Sequence, residues 1–354
     1  MVIYNARING SLKSVVIQDG IIQSICENRE NGDLDANGMR VIPGLIDIHT
    51  HGYGGIDCDG DWEALSRAYA AAGTTSFLAT TGTVPMEKMK EYNDRSQAVS
   101  GANILGMHYE GPYINLARKG GMDERYAINP VAEDFLQCDR AKVVSVAPEL
   151  PGAGEFIRKV SRAGVHVALG HTNADFHTAM EAFQNGAQGL THMFNAMPGL
   201  LHRDPGPIGA ALMSGNYVQL ICDGFHIAPP VIYAAFKMFG EKVVMISDSV
   251  QHGGLPDGVY PPTDGSRPIV VKNQTVMTED GTIAGSYKCL LDGIKVCVEN
   301  GIPFETAVNA ATRVPAELLG VKKGRVQAGF DADLLIVDDD INLEHVILRG
   351  ELYR

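Results

Sequence analysis

Six residues of metal-binding type stand near the ends of apolar, strand-like runs: His49 and His51 in IDIHTH, Glu110 in LGMHYEG, His171 in VALGHT, His192 in GLTHMFN and Asp248 in VMISDS. On an extended strand, residues i and i+2 project to the same face, so the imidazoles of His49 and His51 reach one spot. Glu110 is followed by Gly111-Pro112, a turn that stops its run just past the carboxylate. A buried, unpaired carboxylate is costly unless a cation or hydrogen-bond donors offset the loss of water. Any one of these residues is as well explained by a hydrogen-bonded core or surface side chain. Six of them at the same end of five runs point to a metal centre. Imidazole and carboxylate donors without a thiolate suit Zn²⁺, with Fe²⁺, Mn²⁺ or Co²⁺ as alternatives, and so many histidines disfavour Mg²⁺ and Ca²⁺. Two subsites can be drawn, His49, His51 and Asp248 about one ion and His171 and His192 about a second, with Glu110 able to bridge. One or two ions per chain both remain open. The chemistry that follows is metal-assisted hydrolysis, with Asp248 taking a proton from the attacking water and returning it to the leaving group.

The elements that must position these residues recur with a regular beat. From Val41, apolar runs return every 25 to 40 residues, ending near 46–51, 77–82, 105–111, 144–149, 167–172, 189–195, 220–226 and 244–249. Amphipathic stretches separate or follow them, as in DWEALSRAYAAAG (61–73), DFHTAMEAFQNG (175–186), PPVIYAAFKMFG (229–240) and YKCLLDGIKVCVENG (287–301). Eight strand–helix units predict a (β/α)8 barrel, whose chemistry sits at the C-terminal ends of the strands. The competing open doubly wound sheet lacks its phosphate-loop and GxGxxG fingerprints. Both ends of the chain read differently. VIYNARI (2–8), SVVIQDG (14–20) and IIQSICE (21–27), with GFDADLLIVDD (329–339) and NLEHVILRGELY (342–353), are short β-like runs broken by turn residues. They predict a small β-sandwich domain built from both termini, 1–42 plus 328–354, around a catalytic barrel at 43–327.

Composition sets the outer limits. The 354 residues are 45% hydrophobic and 20% charged, enough apolar content for a sizeable core and against global disorder. A formal charge of −13 argues against sequence-independent nucleic-acid binding, which needs a basic surface. An anionic substrate must then be met by local donors against the global field. The start of the chain lacks the pattern of a signal peptide, and no apolar run is long enough to span a bilayer. Six cysteines without a CxxC pair read as reduced thiols, so the expectation is a cytoplasmic protein with neither nucleic-acid nor membrane partners.

The segments PGLIDIHTHG, EGP, LGHT, THMFNAM, DGFH, SDS and GFDADLLIVD occur in this order over essentially the whole chain. This set resembles the amidohydrolase superfamily, and within it the branch that deacetylates amino-sugar phosphates. The resemblance implies hydrolysis of N-acetylglucosamine 6-phosphate to glucosamine 6-phosphate and acetate by a homodimer with its site near the interface. The alternatives are the galacto epimer or another acylated amine as substrate, or a non-catalytic scaffold on the same barrel. Related hydrolases carry a metal-bridging lysine at the end of strand four. Here the only lysine of that strand, Lys142, lies at its start, so the bridging role passes to Glu110.

By similarity, Asn195 and Ala196 hold the sugar phosphate, with Arg203 and His226 completing the anion site. Arg118 and Lys119 form a further basic loop that reads as solvated charge, Cys58 reads as a structural thiol, and His252 receives no role. The sequence departs from the branch in one place. After the EGP turn a His or Gln is usual, whereas here the stretch is Lys119-Gly120-Gly121-Met122-Asp123. Met122 offers no hydrogen bond of useful strength. Three readings stand: Asp123 or another loop residue substitutes, a second ion polarises the carbonyl, or the substrate differs. The retained His49 and His51 make the second ion the most economical.

Overall fold

A computed structural model describes residues 1–261 and 268–354. Eight parallel strands form one sheet: Leu45–Thr50, Thr74–Thr81, Asn103–Glu110, Ala141–Val146, His166–Leu169, Gly189–Leu190, Tyr217–Ile221 and Val243–Ile246. They pair in chain order from first to eighth. The first and eighth meet through the Asp248 N–H donating to the His49 carbonyl at 3.0 Å and the His51 N–H donating to that of Ser249 at 2.8 Å. This is the predicted barrel, with every strand where the apolar runs placed it. Helices follow most strands, and polar caps start several of them. Asp61 accepts the N–H groups of Glu63 and Ala64 ahead of Trp62–Ala71, and Asp175 accepts that of Thr178 ahead of Phe176–Gln184, each satisfying donors the first turn leaves free.

The inside of the barrel is plugged by Ile46, Ile48, Leu78, Val143, Ile221, Val244 and Ile246. The outer core between strands and helices is built on Tyr69, Phe77, Tyr109, Phe135 and Phe156. A solid floor of this kind leaves the C-terminal rim as the place for a site. No helix among the described residues is long and apolar enough to cross a membrane.

The two ends of the chain share a sheet of eight strands. Arg40–Pro43 pairs with Val2–Ile8 on one side and antiparallel with Leu334–Val337 on the other. A bridge between Ile21 and Asp331 folds this sheet back over its own core of Ile3, Val15, Ile22, Leu334 and Ile347. Between the eighth barrel strand and the helix Leu290–Glu299 lies a four-stranded antiparallel sheet, Gly258–Tyr260, Ile269–Lys272, Thr275–Thr278 and Ile283–Gly285. The strand–helix beat does not predict it, because its strands are only three or four residues long and mostly half-exposed.

The terminal sheet is tied to the barrel at Asp333. Its Oδ2 accepts from Lys323 Nζ at 2.5 Å and from Asn103 Nδ2 at 3.1 Å, and its Oδ1 accepts the Arg349 N–H at 2.7 Å. Asn103 opens the third barrel strand, so one buried carboxylate joins both parts of the chain. Removing one partner of a buried pair leaves the other charge uncompensated. Asp333→Ala is therefore expected to lower stability by about 3–5 kcal/mol, read as a reduced denaturant midpoint, with Asp333→Asn losing less.

Candidate metal centre and substrate pocket

The donors converge on Glu110. Its Oε1 lies 2.9 Å from His171 Nε2 and 2.7 Å from His192 Nε2. Its Oε2 lies 3.2 Å from His49 Nε2 and 2.9 Å from His51 Nε2. Asp248 Oδ1 completes the arrangement, 3.3 Å from His49 Nε2 and 3.4 Å from His51 Nε2. Two sets of donor atoms result, His49–His51–Glu110–Asp248 and Glu110–His171–His192, with Glu110 common to both.

Local backbone geometry brings these side chains inward. His171, His192 and Asp248 all have left-handed φ, at 47°, 26° and 49°. Such conformations cost about 1–3 kcal/mol each for residues other than glycine and cluster at functional sites. At the end of the first strand an irregularity in pairing between Asp47 and Thr50 re-aims the chain. Gly170 lets the fifth and sixth strands approach, since a Cβ there would lie 2.6 Å from Thr191 Cβ. His171 and His192 consequently bring their Nε2 atoms to 3.2 Å.

The donor set fits a divalent cation. The Nδ1 atoms of two ligating-type histidines are committed as donors: His49 to Gln219 Oε1 at 2.9 Å and His171 to the Arg118 carbonyl at 2.9 Å. The His192 N–H, 3.4 Å from Gln219 Oε1, agrees with that amide orientation. In the neutral rings the Nε2 lone pairs then face carboxylate oxygens, acceptor against acceptor. A proton or a cation must reconcile them. The fully buried His49 Nε2 has no hydrogen-bond partner at all. Tetrahedral coordination at about 2.0–2.1 Å puts neighbouring ligand atoms about 3.3 Å apart, close to the 3.3 and 3.4 Å from Asp248 Oδ1 to His49 and His51.

Electrostatics agree. Burial opposes ionisation of Glu110, yet the facing His49 charge and the hydrogen bonds of His171 and His192 hold its carboxyl well below the usual range. Asp248 is partly exposed to the cavity, and its carboxyl is likewise lowered by His49 and His51. Burial works against a charged His51, but its hydrogen bonds to Asp248 and Glu110 prevail and raise it well above the ordinary value.

Several supporting residues escaped the sequence reading. Gln219 orients His49. Asp47 accepts the His49 N–H at 3.2 Å, and burial lifts its carboxyl to about 6. His108 packs edge-on to His49 with centroids 4.4 Å apart and bonds Ser145 Oγ at 2.9 Å. Burial, reinforced by the His49 charge, pushes its pKa well below the ordinary value, so it is neutral. The available signal was a polar residue interrupting an apolar strand, as in LIDIH and YVQLI.

Above the centre opens a cavity of about 330 Å³ whose lining includes His51, Glu110, His171, His192 and Asp248. Asn195, Ala196, His226 and Met122 line it too. Asn195 Nδ2 is buried without a partner. Asp223 Oδ2 accepts a hydrogen bond from His226 Nδ1 at 2.6 Å, which leaves Nε2 as the ring's other polar atom. Two of the predicted residues stand outside this lining. Arg203 is exposed, on the loop ahead of the helix Gly206–Ser214. Asp123 is also absent from the lining. Its carboxylate is occupied by Arg125, with Nη2 at 2.5 Å, and by capping the Arg125 N–H at 3.0 Å. Lys142 lies at the start of the fourth strand, away from the rim. Because Gln219 orients a ligand ring, Gln219→Leu is expected to weaken metal affinity about 10–100-fold, measured by competition with a chromogenic chelator.

The amidohydrolase family matches residues 40–352. An N-acetylglucosamine-6-phosphate deacetylase from Vibrio furnissii is 34% identical, covering 97% of this chain and 88% of its own. An N-acetylgalactosamine-6-phosphate deacetylase from Escherichia coli O157:H7 is 32% identical over 95% and 93%. Among solved structures, an aspartate-to-alanine variant of the Mycobacterium smegmatis N-acetyl-D-glucosamine-6-phosphate deacetylase, in complex with that sugar phosphate, superposes with a TM-score of 0.90 at 27% identity. It covers 99% of this chain and 98% of that one. The chain belongs to the amidohydrolase family, in the branch that holds the N-acetylglucosamine-6-phosphate deacetylases.

Proposed function

We propose that this chain hydrolyses the acetamide of N-acetylglucosamine 6-phosphate, releasing acetate and glucosamine 6-phosphate. The observation that carries the reading is a Glu110-centred donor cluster at the base of a cavity that also offers Asn195 Nδ2 and the His226 ring. His49, His51, Glu110 and Asp248 would hold one ion, and Glu110, His171 and His192 a second. The imidazole-rich donor set supports zinc. When bound, such an ion supplies positive charge that acidifies water and polarises a carbonyl.

The chain's own residues do the rest. Asp248, held as a carboxylate, accepts a proton from the water that attacks the acetyl carbon. Protonated Asp248 then gives it to the nitrogen as the C–N bond breaks. Asn195 Nδ2 and His226 donate to the phosphate, and Asp223 keeps the His226 ring turned toward it. These donors act locally, where a net charge of −13 would otherwise repel the substrate. Six free cysteines support a reducing, cytoplasmic setting. Exposed Leu200, Leu201, Leu212 and Met213, on the segment after the Asn195 turn, support a homodimer.

Asp248→Asn is expected to retain substrate binding and most metal while losing about 10²–10⁴-fold in kcat; near-wild-type turnover would remove Asp248 from the acid–base role. Chelation should abolish activity and Zn²⁺ should restore it, with two equivalents bound per chain at full activity. One equivalent at full activity would overturn the second ion. Parallel kinetics on the gluco and galacto sugar phosphates decide the epimer.

A further inference from the structure

The pocket has two chemically unlike ends, and strand order sets them across the barrel from each other. Asn195 and Ala196 follow the sixth strand and His226 the seventh, whereas Gly82 follows the second and Gly120–Met122 the third. In a closed eight-stranded barrel, strands four apart face one another across the axis. The second therefore opposes the sixth and the third opposes the seventh, with the Glu110 cluster between them.

The two ends offer different groups. Asn195 and His226 present nitrogen donors. On the opposite side Gly82, Gly120 and Gly121 have no side chains, and Met122 contributes a thioether with no donor. A Cβ at Gly82 would lie 3.2 Å from Met122 Sδ, and one at Gly121 would meet nothing within 4 Å. Beyond His51 and Gly82, which line both spaces, a second, more polar cavity of about 160 Å³ continues, where Asp57, Asp59, Thr80 and Thr81 stand beside Cys58 and Val84.

We infer that Met122 and its neighbouring glycines form an acyl subsite that admits N-acyl groups longer than acetyl, propionyl and butyryl in particular. The inference rests on the deacetylase reading above. With the phosphate at the Asn195–His226 end and the amide carbonyl over Glu110 and Asp248, the acyl chain extends toward the Met122 end, past the side wall of Val250 and Ile283. An unbranched thioether adapts to chains of different length, and flexible methionine-lined surfaces discriminate weakly between partners. A hydrogen-bonding side chain at position 122 would instead have to be desolvated against each added methylene.

The test compares kcat/KM for N-acetyl-, N-propionyl- and N-butyrylglucosamine 6-phosphate on the full, metal-loaded chain. The wild type is expected to process the propionyl substrate within about fivefold of the acetyl one, less than the span one methylene can command in a tight pocket. Met122→Gln, which adds a polar group, and Gly82→Ala, whose new methyl points at Met122, should each lower the propionyl-to-acetyl ratio about tenfold. A ratio unchanged in both variants, or a wild type that already rejects propionyl, overturns the acyl subsite. Wild-type hydrolysis of the acetyl substrate with that outcome leaves the deacetylase reading standing, whereas no hydrolysis of any of the three substrates overturns both.

Discussion

A single carboxylate, Glu110, faces four imidazole nitrogens at 2.7 to 3.2 Å in the buried rim of the barrel. Taken out of water, that group is expensive, and no apolar contact nearby can offset the loss. The neighbouring histidines do so only if positive charge sits among them. Gln219 Oε1 and the Arg118 carbonyl accept hydrogen bonds from Nδ1 of His49 and His171, which directs Nε2 lone pairs at the carboxylates. The outer hydrogen bonds thus require a cation or protons at the middle. Most of the architecture serves that demand.

The barrel provides the rigidity it needs. Branched aliphatic side chains fill the interior below the cluster, so the donors rest on a packed floor that excludes water from one side. Three of the six donors occupy left-handed backbone, a conformation that persists only where surrounding structure overdetermines it. The insert sheet closes another side. Its strand Ile283–Gly285 lines the substrate cavity, and the Ser286 N–H donates to the Asp248 carbonyl at 2.9 Å. The segment that shapes the pocket also fixes the backbone of the proposed acid–base residue.

Much of this was legible in the residues. Eight apolar runs at regular spacing marked the barrel strands, because a parallel strand buried on both faces must be apolar along its length. The polar residues at their ends therefore stood out as exceptions. The bridging position of Glu110 could be drawn from the paired donor oxygens of a carboxylate. The insert sheet was not legible, since strands of three or four half-exposed residues carry no period. Where the loop residues Arg203 and Asp123 stand was not legible either, since a charged residue beside a motif has the chemistry for a site whether or not its loop turns inward. Arg203 faces solvent, and Asp123 is spent on Arg125.

Sequence alone settled the inventory: which donors exist, that they stand at the same end of five barrel strands, and that strand four ends without a lysine. Those properties are local, written in residue type and in the period of a strand. Tertiary structure alone decided which donor atoms come within reach of one another, that Gln219 and Asp47 hold the first strand's histidine, and that Met122 lies across the barrel from Asn195 and His226. These are relations between residues tens to hundreds of positions apart. They depend on barrel closure and strand stagger, which bring distant strand ends to one rim and which no single stretch of chain encodes.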